Sequence, residues 1–462
     1  MTTTTNPSST SKVRRDIVGG KRPTRRRDRI RRPDPTRIGL GPTDESLTSM
    51  AGLARFGAFL REQGIDRALR EFRSLKPHGG TVYPMDAQLR LLIDAHAAGE
   101  TRVFGVEALS SDPLFVRLAG GVVPSIDTLY RDLNRFDEEA LEKLEALMAQ
   151  KGLDRERLRA HDDVHLDVDT TVEPQFGEKE GARPGPNPRY RGRPSYHPIV
   201  CRVAELDTCV GAQLRPGDRA FGTQDVDVVR KIVRRVSAQL HARQRLWVRI
   251  DGAGDDASLF TMFQQERVLF VTKPRLTPNL WEAASKVKDW RAVDWDAFDK
   301  PITEVADIAF ERPSWREAGA NVRVIAVRTR EPRAGRQLYL WDGLDWTVKL
   351  YLTNSDDPAE EIARRYEGRA GIEPLIAEWK NGWGIGEAPC WAFRANHAVL
   401  LLKLLAHNLM RRFVRQVAPH LTRWRVSWIR RALVQVPGRL VRSGRRWLLR
   451  VPSACALMRL RE

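Results

Sequence analysis

Near residue 161 the spacing of apolar residues changes, and that change limits what this chain can fold into more than any other feature. Up to about residue 150 apolar residues recur three and four apart, in MAGLARFGAFLREQGI, MDAQLRLLIDAHAAG and SIDTLYRDLNRFDEEALEKLEALM, the last opening on Ser125 as an N-cap. That spacing predicts an all-helical N-terminal domain, with Thr128 to Arg135 as the candidate for a helix-turn-helix contact with DNA. From His161 the runs HDDVHLDVDTTV, SYHPIVCRVAEL and TCVGAQLRPG read as three strands. A helix follows in TQDVDVVRKIVRRVSAQLHA, where Val226, Val229, Val233, Val236 and Leu240 form one stripe. RLWVRID, DDASLFTMFQQE and RVLFVTKP then read as strand, helix and strand. Three strands, helix, strand, helix, strand is the order of an α/β core.

Residues 276–355 alternate strand-like runs (VADIAFE, NVRVIAVRTR, QLYLWDG, WTVKLYLTN) with turn-rich loops and carry Trp281, Trp290, Trp295, Trp315, Trp341 and Trp346, which predicts a β-rich insertion. Helical pattern returns near residue 358, and RLVRSGRRWLLRV closes the chain as a hairpin about Ser443-Gly444. The expected division is therefore a disordered basic tail (1–44), a helical DNA-binding or dimerisation domain (45–155), a core in two parts (156–275 and 356–410) around the insertion (276–355), and a basic C-terminal DNA-binding segment (411–462). A chain of 462 residues can bury a large core without staples. Cys201, Cys209, Cys390 and Cys455 form no CxxC pair, which argues against zinc and against a disulfide framework. The longest apolar run, AVLLLKLLAHNLM, is too short for the roughly 30 Å hydrocarbon core of a bilayer, and the N-terminus has no apolar signal region. No membrane partner is expected, and a reducing, cytoplasmic compartment is.

The net charge of +19 is unevenly placed. Residues 1–38 hold 12 Lys and Arg against 3 Asp and Glu, and residues 411–462 hold 14 against 1, leaving 52 against 55 between them. Basic ends around a near-neutral middle suit arms that hold a polyanion while a central domain acts on it. Nucleic acid is the leading partner.

Metal-assisted phosphodiester chemistry needs carboxylates that converge on one point, because hard cations take oxygen ligands. Three positions fit. Asp167 and Asp169, two apart on one strand, share a face. Asp251 ends the strand LWVRID just before Gly252, where α/β sheets bind ligands. Glu373 lies in YEGRAGIEPLIAEWK, seven residues before Lys380 and so on the same helical face; Gly368, Gly371 and Pro374 predict a break between it and Tyr366 and Arg369. Each acid also has a structural reading, as a turn residue, an N-cap or a helix-terminal acid. A carboxylate flanked by two cations and a phenol makes sense where a phosphate backbone lies beside a metal.

YEGRAGIEPLIAEWK has the Tyr-x2-Arg-x3-Glu-x6-Lys pattern and resembles the DDE transposases of bacterial insertion sequences, superfamily numbered 4. LDVDTTVEPQFGEKEGA, GRPSYHPIV, VRIDGAGDD and NGWGIGEAPCWAFRANHAVLLLKLLAHNLM are most like the family numbered 1380 within it. The resemblance implies an RNase H-like catalytic core interrupted by the β-rich insertion, and a triad of Asp169, Asp251 and Glu373 holding Mg²⁺, with Mn²⁺ able to substitute. It implies DNA contacts from Tyr366, Arg369 and Lys380, and an insertion tryptophan, Trp341 or Trp346, stacked on a flipped base. The implied partners are double-stranded DNA, as element ends and as target, and a second copy of the chain in a homodimer near the bacterial nucleoid. The implied reaction is hydrolysis at the ends followed by 3′-OH attack on target DNA, with no covalent protein–DNA intermediate. The alternatives are a nuclease of the same fold and a non-catalytic DNA-binding protein descended from a transposase.

Overall fold

The computed structural model describes residues 46–77, 81–185, 187, 190–297, 299–330 and 346–459. The expected basic tail and Trp341 lie outside the described residues. The main elements begin with helices α1 (Gly52–Glu62), α2 (Met85–Ala98), α3 (Ile126–Leu133) and α4 (Glu138–Gly152). Strands β1 (Asp163–Thr170), β2 (Ile199–Val203) and β3 (Thr208–Gln213) follow, then α5 (Val226–Ser237), β4 (Arg245–Arg249), α6 (Ala257–Gln265) and β5 (Leu269–Thr272). Next come α7 (Pro278–Ser285), β6 (Arg291–Trp295), β7 (Pro301–Ile308), β8 (Arg323–Arg330) and β9 (Trp346–Thr353). The chain ends with α8 (Ala359–Glu367), α9 (Ile372–Trp383), α10 (Phe393–Val417), β10 (Gly438–Ser443) and β11 (Arg446–Arg450). No described helix is long and apolar enough to cross a membrane.

The chain divides into two compact units, one of Met1–Ala140, Asn381–Ile385 and Leu409–Glu462, the other of Leu141–Lys380 and Gly386–Asn408. In the first, α1 buries Leu53, Phe56, Phe59 and Leu60, and the rings of Phe56 and Phe59 each lie 5.4 Å from that of Phe413. Gly52 is required here, because a Cβ would stand 1.7 Å from the Leu433 carbonyl oxygen. Buried Arg430 donates to the carbonyls of His96 and Ala97 and lies 4.4 Å from the Trp383 ring. A small antiparallel sheet joins Leu47–Thr48, β10 and β11.

The second unit is built on one nine-stranded mixed sheet in the order β6-β7-β8-β9-β5-β4-β1-β2-β3. β4 runs parallel to β1 and β5, and every other neighbouring pair is antiparallel. β6 to β9, from the region read as an insertion, extend this same sheet, with β9 paired to β5 at Leu352↔Thr272 and Thr353↔Val271. Strand alternation sorts the core into two layers. Val164, Leu166, Val168, Val248 and Phe270 pack with Val229 and Val233 of α5 and Leu259, Phe260 and Phe263 of α6. Trp247, Val271, Ile325 and Tyr351 pack with Ile362, Ala363 and Tyr366 of α8. The even positions of β1 thus serve the first layer, and Asp163, His165, Asp167 and Asp169 face the other side.

Candidate active site

The YEGRAGIEPLIAEWK stretch is helical on both sides of a break. α8 ends at Glu367, Gly368–Gly371 form a 3₁₀ turn, and α9 starts at Ile372, so the expected interruption is a tightened turn and Pro374 sits within the first turn of α9. The turn gives each signature residue a different environment. Tyr366 is buried with its ring 5.1 Å from that of Tyr351 and 5.4 Å from the Lys273 amine. Arg369 is buried and its Nη2 lies 3.0 Å from Asp169 Oδ2. Glu373 is exposed. Lys380, one face along α9, lies 3.1 Å from Glu173 Oε1 and donates to the Val172 carbonyl at 3.0 Å.

The two aspartates of LDVDT have separate partners. Asp167 is fully buried; Arg249 of β4 donates through Nε to its Oδ1 at 2.6 Å and through Nη2 to its Oδ2 at 3.0 Å, and Arg202 of β2 stands 3.6 Å away. Both arginines are its register partners on the flanking strands. Arg202 also reaches Asp207 at 2.8 Å, so two guanidiniums meet two carboxylates. This cluster supports the signature turn directly: Arg249 Nη1 donates to the Arg365 carbonyl at 2.8 Å, closing the end of α8. A Cβ on Gly368 would stand 2.6 Å from Arg249 Nη1, and one on Gly371 2.9 Å from Arg202 Nη1. The glycines around Glu373 leave room for these arginines.

Asp169 lies one alternation further, past the last β1–β4 pair at Asp167↔Arg249. Asp251, two residues beyond Arg249, accepts from the Ala253 amide at 3.0 Å and caps a short 3₁₀ turn; Asp256 separately caps α6. Asp169, Asp251 and Glu373 act on one another electrostatically. Burial first, then repulsion from Asp251 and Glu373, pushes the Asp169 carboxyl up to about 6 against the attraction of Arg369. The Tyr366 phenol is raised, first by burial, with Asp251, Asp169 and Glu373 adding to it. The Asp169 carboxyl thus feels Asp251 and Glu373 as well as the Arg369 guanidinium beside it.

All three are oxygen donors, the set a hard divalent cation takes, and the donor chemistry fits Mg²⁺. Among the described residues no three His, Cys, Asp or Glu side chains already converge as a metal-binding group. The cation seated on Asp169 here is Arg369.

Of the three residues read as DNA contacts, Arg369 lies against Asp169, Tyr366 packs on Tyr351 and Lys273, and Lys380 pairs with Glu173 in the segment that follows β1. Trp346 lies beneath the Arg328 guanidinium at 4.7 Å, with Trp290 at 4.2 Å from the same group. Sequence reasoning missed Arg202, Arg249, Glu173 and Lys273. For Arg202 a signal existed, since it interrupts the otherwise apolar strand IVCRV; Arg249 only ends the strand RLWVR, which also opens on an arginine.

The family described as Transposase DDE domain group 1 matches residues 36–461. A solved structure, the cryo-EM structure of the piggyBac transposase synaptic complex with hairpin DNA, is similar to this chain at a TM-score of 0.36 and 13% sequence identity, covering 77% of this chain and 75% of that one. No curated protein matches the chain.

Proposed function

The chain belongs to the Transposase DDE domain group 1 family, and from that premise we propose that it cuts the ends of an insertion sequence and joins them to target DNA. Within the family we place it in the superfamily numbered 4, near the family numbered 1380. The observation that carries the reading is the Arg369 guanidinium 3.0 Å from Asp169 just past the last β1–β4 pair, with Asp251 two residues beyond the end of β4 and Glu373 in the first turn of α9. The β3-β2-β1-β4-β5 order, antiparallel in its first three strands and parallel thereafter, supports an RNase H-like core.

Asp169, Asp251 and Glu373 are the residues that would hold Mg²⁺. When bound, the metal supplies activation of the attacking oxygen and stabilisation of the leaving one. The chain's own groups position the DNA. Arg369, planar and five-donor, can grip a phosphate in two-pronged fashion beside the scissile bond. Burial keeps Tyr366 a neutral phenol that can donate to a phosphate oxygen. Glu173 holds the Lys380 amine beside the strand that carries Asp169, and Lys380 contacts the DNA backbone from there. The substrate is duplex DNA with terminal inverted repeats, bound by a homodimer.

The test is to incubate the protein and its Glu373→Gln variant with Mg²⁺ and a duplex carrying the DNA that flanks the gene. Cut and joined products from the protein, absent with the variant, support the reading. Cut DNA without joined molecules makes the protein a nuclease, and binding without cleavage by either makes it a DNA-binding relic.

A further inference from the structure

From Ala388 to Arg461 the sequence contains no Asp or Glu, and five arginines of that stretch, Arg439, Arg442, Arg445, Arg446 and Arg450, lie in or at the turn of the β10–β11 hairpin. Gly444 takes the left-handed conformation, φ +59°, that the two-residue turn requires. The register pairs Arg439 with Arg450, Leu440 with Leu449, Val441 with Leu448, Arg442 with Trp447 and Ser443 with Arg446. Residues paired across an antiparallel ladder share a face, so the two faces can be read off.

One face is anchored at its root, while Arg442 and Trp447 nearer the turn are exposed. Leu440 is buried and Leu449 half-buried, Arg117 lies 3.9 Å from the Trp447 ring, and at the root a Cβ on Gly438 would stand 2.9 Å from the Ala51 Cβ. The other face carries Arg439, Arg446 and Arg450, all exposed, around Leu448, which is 45% exposed. Arg439 Nε reaches the Ser46 hydroxyl at 3.3 Å. A ribbon with one anchored face and three guanidiniums on the other, in a segment without acids, is complementary to a polyanion.

We infer that this ribbon lays its Arg439–Arg446–Arg450 face into the major groove of duplex DNA. The inference rests on the reading of the chain as a transposase and names a DNA-gripping element that is not part of the carboxylate set. Two strands about 4.8 Å apart fit a groove about 12 Å wide, and arginine pairs with phosphates and with guanine O6 and N7. Arg430 of the same segment is buried on helix carbonyls.

The experiment compares the full chain with an Arg439→Gln, Arg446→Gln, Arg450→Gln variant and with an Arg155→Gln, Arg157→Gln, Arg159→Gln control, which removes the same charge from another exposed site. Affinity for the flanking-end duplex is measured against salt without Mg²⁺, with guanine N7 methylation interference on the same duplex. Circular dichroism melting checks that all three proteins fold. The expected result is a log-affinity versus log-salt slope shallower by about 2 to 3 in the ribbon variant alone, at about 0.9 per phosphate contact, with loss of methylation interference. Equal slopes in the ribbon variant and the unaltered chain overturn the ribbon and leave the transposase reading standing. Equal flattening in variant and control also overturns it, in favour of net charge. If the unaltered chain does not bind duplex DNA at all, both readings fall.

Discussion

Asp167 and Asp169 are one alternation apart on the same strand and face the same side of the sheet, yet their surroundings are opposite. Asp167 has a strand on each side, and each supplies an arginine at its register position; with Asp207, which is exposed, the set is two carboxylates against two guanidiniums. Asp169 lies where the β1–β4 ladder has ended; the guanidinium on it is that of Arg369, and the charges of Asp251 and Glu373 add to the rise of its carboxyl. With all groups ionised the first set is neutral, and the second carries an excess of two negative charges. Two acids on one face of one strand thus differ in charge environment according to whether both flanking strands continue past them with compensating charge.

The largest expected effect separates the two acids outright. Asp169→Asn should lower DNA cleavage at least about 10³-fold, as when a member of a catalytic set acting as a unit is removed, with the fold retained. Asp167→Asn should instead leave two buried guanidiniums undercompensated, for a loss of about 3–5 kcal/mol in urea unfolding. If D167N abolished cleavage while keeping its urea midpoint, the roles assigned to the two acids would be reversed.

The next effect lies in the pH dependence of stability, measured with chelator present. Asp169 has a raised folded pKa, so its favourable contribution is complete below the ordinary carboxylate range and lost as pH rises through about 6. Asp169→Asn should therefore be more stable than the unaltered chain at pH 8, by on the order of 3 kcal/mol, and the gap should close as pH falls through 6. Asp163, at the other end of β1, has the opposite sign. Burial pushes it up, but Arg245 and Arg365 overcome this and hold it low. Its contribution is present above the ordinary carboxylate range and lost as pH falls through its lowered folded value, so Asp163→Asn should be the less stable protein at pH 7, with the gap narrowing below pH about 4. Thermal melts of both variants across pH check the pair of signs.

The smallest expected effect probes the contact between the Asp167 set and the signature turn. Gly368→Ala would press a methyl against Arg249, whose guanidinium cannot retreat without leaving Asp167, and should reduce stability by about 1–3 kcal/mol. Restored stability in a Gly368→Ala, Arg249→Lys double variant would confirm that the arginine is what the glycine accommodates.

Much of the fold was legible because it is local. The runs around β1, β2, β3, α5, β4, α6 and β5 each carry their own period, and the hairpin about Gly444 carries its own turn chemistry. The extent of the sheet was not legible. β6 to β9 have the same alternation whether they form a separate domain or extend an existing sheet, and the β5–β9 pairing that joins them links residues about eighty apart, as at Val271 and Thr353. Lys380 is similar: its spacing from Glu373 was readable, but its partner Glu173 is more than two hundred residues away.

The sequence by itself determined that three carboxylates were available, that two of the acids in LDVDT share a face, and that Tyr366, Arg369 and Glu373 sit on either side of a helix break. These depend on the side-chain periods of strand and helix, which act over a few residues. How differently Asp167 and Asp169 are surrounded depends on the tertiary structure, on which strands flank β1 and where the β1–β4 pairing stops: Asp167 meets an arginine from each flanking strand, whereas Asp169, past the last β1–β4 pair, meets Arg369 from the turn before α9.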